Sequence, residues 1–292
     1  MLRSPTDSRK HRSKLRLLLL TATLAIALLL LLHQWLYHTL LEQAIVLESL
    51  GKWDPAIATY QRALHLNSRD AYLYYNLGTA LENRGKLEEA KRAYEAAIRL
   101  NPRYGFAYSS LGFILERQGQ WDAAIAAYQK AIGFNPHTAV TYTHLGDILH
   151  RQGKLDQAVA VYRQAVHIDP GHALAYNHLG LVLRQQGKLE GAIAAHQSAI
   201  QLDPQYTLAY SSLGAIWQQQ GKLSAAVTAY RHALQLNDRD AAIHYRMGQV
   251  LQQQGHLSQA EKVLRQAIAI DPTNRVYHQA LTTLQQTRSS QQ

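Results

Sequence analysis

The chain repeats itself every thirty-four residues. Ala173 to Tyr206 reads ALAYNHLGLVLRQQGKLEGAIAAHQSAIQLDPQY, and Ala139 to His172 reads AVTYTHLGDILHRQGKLDQAVAVYRQAVHIDPGH. Framed from Tyr37, seven units follow one another without insertion or deletion: 37–70, 71–104, 105–138, 139–172, 173–206, 207–240 and 241–274. A period of this length dictates stacked supersecondary units, each burying its apolar face against its neighbours instead of closing a core alone.

Each unit reads as two helices. In 173–206, Tyr176, Leu179, Gly180 and Leu183 stand at i, i+3, i+4 and i+7, an apolar stripe on a first helix. Gly187 ends that helix, because a C-cap takes the left-handed conformation that glycine adopts freely. Leu189, Ala192, Ala199 and Ile200 mark the inner face of a second helix, with Glu190 at its positive end. Asp203-Pro204 stops it, since the residue before proline is driven out of the helical region. Gly180, Ala192 and Ala199 let the two axes approach closely.

These residues closely resemble the tetratricopeptide repeat. The family pattern wants a large residue at position four, here Tyr74, Tyr108, Tyr142, Tyr176 and Tyr210, with His244 in the last unit. It wants Leu-Gly at seven and eight, alanine at twenty and twenty-seven, and proline at thirty-two. Both alanines, and the turn glycine from Gly51 to Gly255, are present in all seven units. The resemblance implies an all-α right-handed superhelix. The first unit departs from the pattern with Gln43, Ala44 and Ser68, as terminal repeats do. Asn237-Asp238-Arg239-Asp240 replaces the proline junction before the last unit. After Asn274, Val276, Tyr277, Ala280, Leu281 and Leu284 form a capping helix over 275–287, followed by a disordered tail, 288–292.

Ahead of the repeats, Leu17 to Leu32 is free of charge. With His33 to Tyr37 the segment 17–37 reaches about 31 Å at ~1.5 Å per residue, enough for a transmembrane helix. Trp35 and Tyr37 suit an interfacial belt. Ala25-Ile26-Ala27 offers the small residues of a signal-peptide cleavage site, but five leucines follow it, so the segment reads as an uncleaved signal anchor. Six basic residues against Asp7 alone make 1–16 a basic tail holding half of the net charge of +10. The positive-inside rule keeps that tail cytoplasmic and sends the repeats across the membrane, a bacterial-type inner membrane being favoured. The repeats are then only mildly basic, which argues against a nucleic-acid partner. The absence of cysteine removes disulfides, thiolate zinc sites and thiol catalysis.

In the resembled family the first helices line a groove that holds extended peptides. By that correspondence the groove residues are Tyr72, Tyr75, Asn76 and Thr79, then Phe106, Ser109 and Phe113. Thr143, His144, Asp147, His150, Asn177, His178 and Arg184 follow, and then Ser211, Tyr245 and Arg246. Aromatic, hydroxyl and amide groups of this kind suit a peptide backbone. Phe106 and Phe113, two turns apart and off the Tyr108–Leu111–Gly112–Leu115 stripe, read as an aromatic floor. His144, Asp147, His150 and His178 invite a metal, but their spacing over two repeats converges poorly for zinc, so no metal or cofactor is expected. Lys52, Lys86, Lys154, Lys188 and Lys222 recur in the turns as solvated residues. No phosphate-binding glycine loop and no recurring nucleophile–base pair is present, so the chain reads as a non-enzymatic scaffold that binds a protein or peptide. The alternative that the resemblance raises is a regulatory subunit of a glycan-assembly or glycosyltransferase machine whose catalytic domain lies on another chain.

Overall fold

The computed structural model describes the backbone of residues 5–290 and the side chains of residues 19–289. The described residues form fifteen α-helices and no strand, and they divide into two compact units, one through Asn135 and one from Pro136. Unit 1 holds three antiparallel pairs: α1 (Pro5–Ser49) with α2 (Trp53–Leu66), α3 (Ala71–Asn83) with α4 (Leu87–Leu100), and α5 (Gly105–Arg117) with α6 (Trp121–Phe134). Unit 2 begins with α7 (Ala139–Arg151) and α8 (Leu155–Ile168), then α9 (Ala173–Gln185) and α10 (Leu189–Leu202). It continues with α11 (Thr207–Gln219) and α12 (Leu223–Leu236), α13 (Ala241–Gln253) and α14 (Leu257–Ile270), and closes on α15 (Arg275–Ser290).

The tight turns are built as the glycines require. Gly187 has φ +76°, and its six counterparts are likewise positive. The Lys188 N–H reaches the Leu183 carbonyl at 2.9 Å and the Gly187 N–H the Arg184 carbonyl at 2.9 Å, the paired bonds of a Schellman motif. At the other end of α10, Asp203 leaves the helical region with φ −132° before Pro204. A recurring rung ties successive pairs at the turn end: Arg84 to Asp54 in unit 1, and Gln186 to Asp156 in unit 2, both 2.9 Å.

Packing follows the small residues. The alanines at position twenty, Ala56 to Ala260, are fully buried in all seven pairs, and those at position twenty-seven nearly so. A Cβ built on Gly180 would stand 2.7 Å from His196 Nε2, and one on Gly146 would stand 2.6 Å from the Tyr162 ring. The glycine of α3, α5, α7, α9 and α11 thus seats the ring at position twenty-four, while Ala44 takes that place on α1 and Gly248 on α13 faces Leu264. Tyr60, Tyr94, Tyr128, Tyr162 and Tyr230 have no exposed surface there, and neither does His196, which takes the same place in its pair.

The apolar stripe of the first helices differs from its sequence reading. The tyrosines at position four are only half-buried. The deepest positions are three and ten, Leu73 and Ala80 on α3 and Ala175 and Val182 on α9, all without exposed surface. The reason is that α3 packs on α2 as well as on α4, and α9 on α8 as well as on α10. A helix gripped from two sides buries a wider arc than one stripe. In the first pair Gln43 stays exposed where Leu77, Leu145, Leu179 and Leu213 are buried in later repeats.

The N-terminal helix is continuous. α1 begins at Pro5, inside what the sequence reads as a tail, and residues 1–4 lie outside the described residues. Its leucines from Leu19 to Leu32 are exposed, and Leu19–Ser49 is the one described helix long and apolar enough to cross a membrane. The Thr23 hydroxyl bonds the Leu20 carbonyl at 2.9 Å, so it is satisfied within the helix. Tyr37, in contrast, is not presented on the outer face of α1: it is 8% exposed, sits in the unit 1 core with Leu40 and Ala44, and its hydroxyl donates to Asp70. At the C-terminus α15 continues through 288–290, inside the segment read as disordered, and Arg288 Nη1 bonds Glu261 at 3.0 Å. Residues 291–292 lie outside the described residues.

Candidate functional site

In unit 1 the expected groove residues project from α3 and α5. Tyr72 is 48% and Phe106 49% exposed, large for aromatic side chains. Beneath them Tyr75 is half-buried, with ring centroids 5.2 Å from Tyr104, 5.9 Å from Tyr94 and 6.4 Å from Phe106. Tyr104 meets Phe106 edge-on at 6.5 Å. These offset and edge contacts are the favourable ones for aromatic rings. Burial pushes the Tyr75 and Tyr104 hydroxyls above their ordinary range, so both stay neutral hydrogen-bonding groups. Phe113 does not complete this cluster. It is half-buried two turns along, with the Arg117 guanidinium 5.9 Å from its ring centre. Ser109 is half-buried, Thr79 spends its hydroxyl on the Tyr75 carbonyl at 3.2 Å, and Asn76 is buried.

Tyr104 is the residue that sequence reasoning missed. It is the last residue of its repeat and stands at the N-cap position of α5, with no side-chain bond to the helix N–H groups. The same position recurs in unit 2, where His172 Nε2 donates to Thr143 Oγ1 at 3.0 Å and Tyr206 bonds Asn177. Each such residue lies over the first helix of the preceding pair. Thr143, at 2% exposed, and Asn177, at 1%, are thereby removed from the face that the family pattern gives them. Ser211 is buried as well. The signal was available: the residue at position thirty-four is Tyr, His, Thr, Asp or Asn, never apolar and aliphatic.

Unit 2 brings the histidine patch together around one carboxylate. Asp147 receives the Tyr162 hydroxyl at 2.5 Å and faces His178 Nδ1 at 2.6 Å, both carboxylate and imidazole being mostly buried. Burial alone would raise the Asp147 carboxyl. The His178 hydrogen bond and charge outweigh it, helped by Tyr162, and hold it below the usual carboxylate range. His144 adds its charge nearby, while His150 turns away and donates to Gln185 Oε1 at 2.8 Å. Among the described residues no group of three or more His, Cys, Asp or Glu could hold a metal ion. Arg184 is half-buried beside His196, Tyr245 stacks on Tyr277 at 5.1 Å, and Arg246 is exposed.

What this geometry offers is a surface of rings, hydroxyls and amides on the first helices, with the Asp147–His178 pair in unit 2. Residues 46–85 and 71–104 match descriptions of the TPR repeat, and residues 105–292 match the cilia and flagella-associated protein 70 C-terminal domain. No curated protein matches the chain. Among solved structures, the C-terminal part of a TPR repeat-containing protein from Cytophaga hutchinsonii aligns at TM-score 0.66 and 16% identity, over 82% of this chain and 98% of that one. The APC/C hetero-tetramer Cut9-Hcn1 aligns at 0.63 and 20%, over 82% of this chain, which spans about half (48%) of that chain. YrrB, described as a TPR protein with an unusual peptide-binding site, aligns at 0.56 and 21%, over 63% and 94%. At these identities the likeness establishes the fold alone. The fold is that of a protein-interaction scaffold, and the chain belongs to the tetratricopeptide repeat family, with residues 105–292 in the group described as the cilia and flagella-associated protein 70 C-terminal domain.

Proposed function

We propose that the protein is a non-enzymatic scaffold, anchored in a membrane by α1, that captures an extended segment of a partner protein on its first-helix faces. The observation that supports anchoring is the double character of α1. Its leucine run is exposed, while its last turns belong to the repeat core, so the span and the first repeat are one rigid rod. Peptide capture is supported by the exposed Tyr72 and Phe106 seated on Tyr75 and Tyr104 in unit 1, and by the Asp147–His178 patch in unit 2. YrrB carries a peptide-binding site on the same fold. The basic N-terminal segment stays on the cytoplasmic side, and the repeats face the opposite side.

Replacing Tyr72 and Phe106 together by serine tests the binding half. Partner capture from native membranes should be lost while helical content is unchanged, because both side chains stand outside the core. Capture at the wild-type level by the double variant would move the binding face elsewhere.

A further inference from the structure

The connection between α2 and α3 touches α1 at two points. His33 Nε2 lies 3.0 Å from the Leu66 carbonyl, and the Tyr37 hydroxyl donates to the Asp70 carboxylate. The charge-free run Leu17–Leu32 stops one residue before the first of these contacts. At ~1.5 Å per residue that run reaches about 24 Å, short of a hydrocarbon layer of ~30 Å. Such a shortfall is met by local thinning or by drawing the flanking turn toward the headgroups. The flanking turn here is His33–Tyr37, and it is bonded to the α2–α3 connection. Whatever depth the one takes, the other shares.

Charge at this end of unit 1 is one-sided. Arg69 and Arg103, on the α2–α3 and α4–α5 connections, are exposed, as are His65 and Arg99 on the helix ends that lead into them. Asp70 is the acid on these connections, and its carboxylate is already taken by Tyr37 and by the N–H groups of Tyr72 and Leu73. Unit 1 places Glu48, Asp54, Glu82, Glu88, Glu89, Glu116 and Asp122 at the opposite end, by the tight turns, together with Lys52, Arg84, Lys86 and Arg117, while Glu42 and Glu95 lie along α1 and α4, Glu95 one turn before Arg99. The helix dipole accounts for His65 and Arg99, which sit in last turns. It does not account for Arg69 and Arg103, which stand just ahead of helix N-termini, where a cation is disfavoured.

The repeats supply their own comparison. Every second helix except α6, which ends on Asn135, ends on a residue whose side-chain oxygen accepts the backbone N–H two residues on. In unit 1 this is Asn67 to Arg69 and Asn101 to Arg103, both 3.1 Å. In unit 2 it is Asp169 to Gly171 at 2.9 Å, Asp203 to Gln205 at 3.0 Å and Asp271 to Thr273 at 3.3 Å. Asn237 departs from this, but Asp238 and Asp240 surround its arginine. Amide and carboxylate serve the bond alike, so the turn does not dictate the choice. A neutral cap followed by arginine is what a connection facing anions requires, and a carboxylate there would be repelled.

We propose that the α2–α3 and α4–α5 connections of unit 1 rest on anionic phospholipid headgroups in the leaflet from which α1 emerges, with Arg69 and Arg103 as the phosphate contacts. The proposal depends on α1 being a membrane span. It gives the rod a second point of support, so that the first repeat is mounted on the bilayer surface at a fixed height and not held above it on a swivel.

The chain has no cysteine, so single labels are clean. Full-length Ser68→Cys, and Lys86→Cys at the opposite end, would each carry an environment-sensitive fluorophore in vesicles of phosphatidylcholine with or without phosphatidylglycerol. Neutral acrylamide then reports exposure. Label 68 should be protected in the anionic vesicles at low salt, and label 86 should not. Arg69→Gln and Arg103→Gln should each shift the docked-to-undocked ratio about fivefold, the equivalent of one surface charge. Equal quenching of both labels, in chains that resist carbonate extraction, overturns the contact and leaves the span standing. Protection that ignores lipid charge and both substitutions overturns the phosphate contact as well. A chain that fails to insert overturns the span and this proposal together.

Discussion

His196 is the residue whose replacement reads the packing most sharply. It takes the place that Tyr60, Tyr94, Tyr128, Tyr162 and Tyr230 hold in other pairs, it has no exposed surface, and neither ring nitrogen has a hydrogen-bond partner. Burial, with the charge of Arg184 added, lowers its pKa from 6.5 to about 4. The charged form is thus disfavoured in the folded state. Stability is fully present above the unfolded pKa near 6.5 and is lost as pH falls from there toward about 4. Between pH 7 and pH 4.5 the loss comes to about 2 kcal/mol, since each tenfold change in a protonation equilibrium is worth ~1.4 kcal/mol. Replacement by tyrosine should abolish that loss, because the phenol stays neutral over this range and Gly180 already leaves room for a ring. An array loses its repeats piecewise, so a single melting curve is the wrong assay. Hydrogen exchange in α9 and α10, corrected for intrinsic rates, reads the local opening energy directly. Wild type and His196→Tyr weakening in parallel from pH 7 to pH 4.5 would refute the reasoning.

Ala192→Leu, at a fully buried contact between α9 and α10, should lower the local opening energy of that pair by roughly 1–3 kcal/mol in hydrogen exchange; wild-type protection in α9 and α10 would contradict the packing. The Asp147 carboxyl should titrate below the usual carboxylate value by NMR, so its contribution is present above about pH 4 and lost as the pH falls further. A value at or above the ordinary one would remove the Tyr162–His178 clasp. The full chain should resist carbonate extraction, and a mature N-terminus near Leu28 would instead reveal cleavage after Ala25-Ile26-Ala27. Protease outside sealed right-side-out vesicles should digest the repeats, and protection there would reverse the proposed orientation.

The backbone of this fold is legible because each local signal repeats. Gly187 and Asp203-Pro204 mark helix ends through conformations that only certain residues accept, and the alanines mark contacts too close for anything larger. The burial of positions three and ten was not legible, since it arises from a second helix neighbour that a one-dimensional stripe does not represent. The site was legible only in part. Family correspondence names residues by the direction of their Cα–Cβ bonds, and so finds Tyr72 and Phe106. It does not know that Tyr104, His172 or Tyr206 folds over the preceding pair and buries Asn177 or Thr143. The surroundings of Tyr37 were not legible for a similar reason. Hydropathy and length place Tyr37 at a membrane surface, whereas its partner Asp70 is thirty-three residues away in sequence and commits it to the repeat core.

The central claim is that a partner segment lies on the first-helix face. A photo-cross-linking amino acid at Phe106 in the full chain, set against one at the exposed Gln129 on α6, tests it in native membranes. One discrete protein adduct from position 106 that disappears with Tyr72→Ser, and none from position 129, is the expected result; no adduct from 106, or equal adducts from both positions, would contradict it.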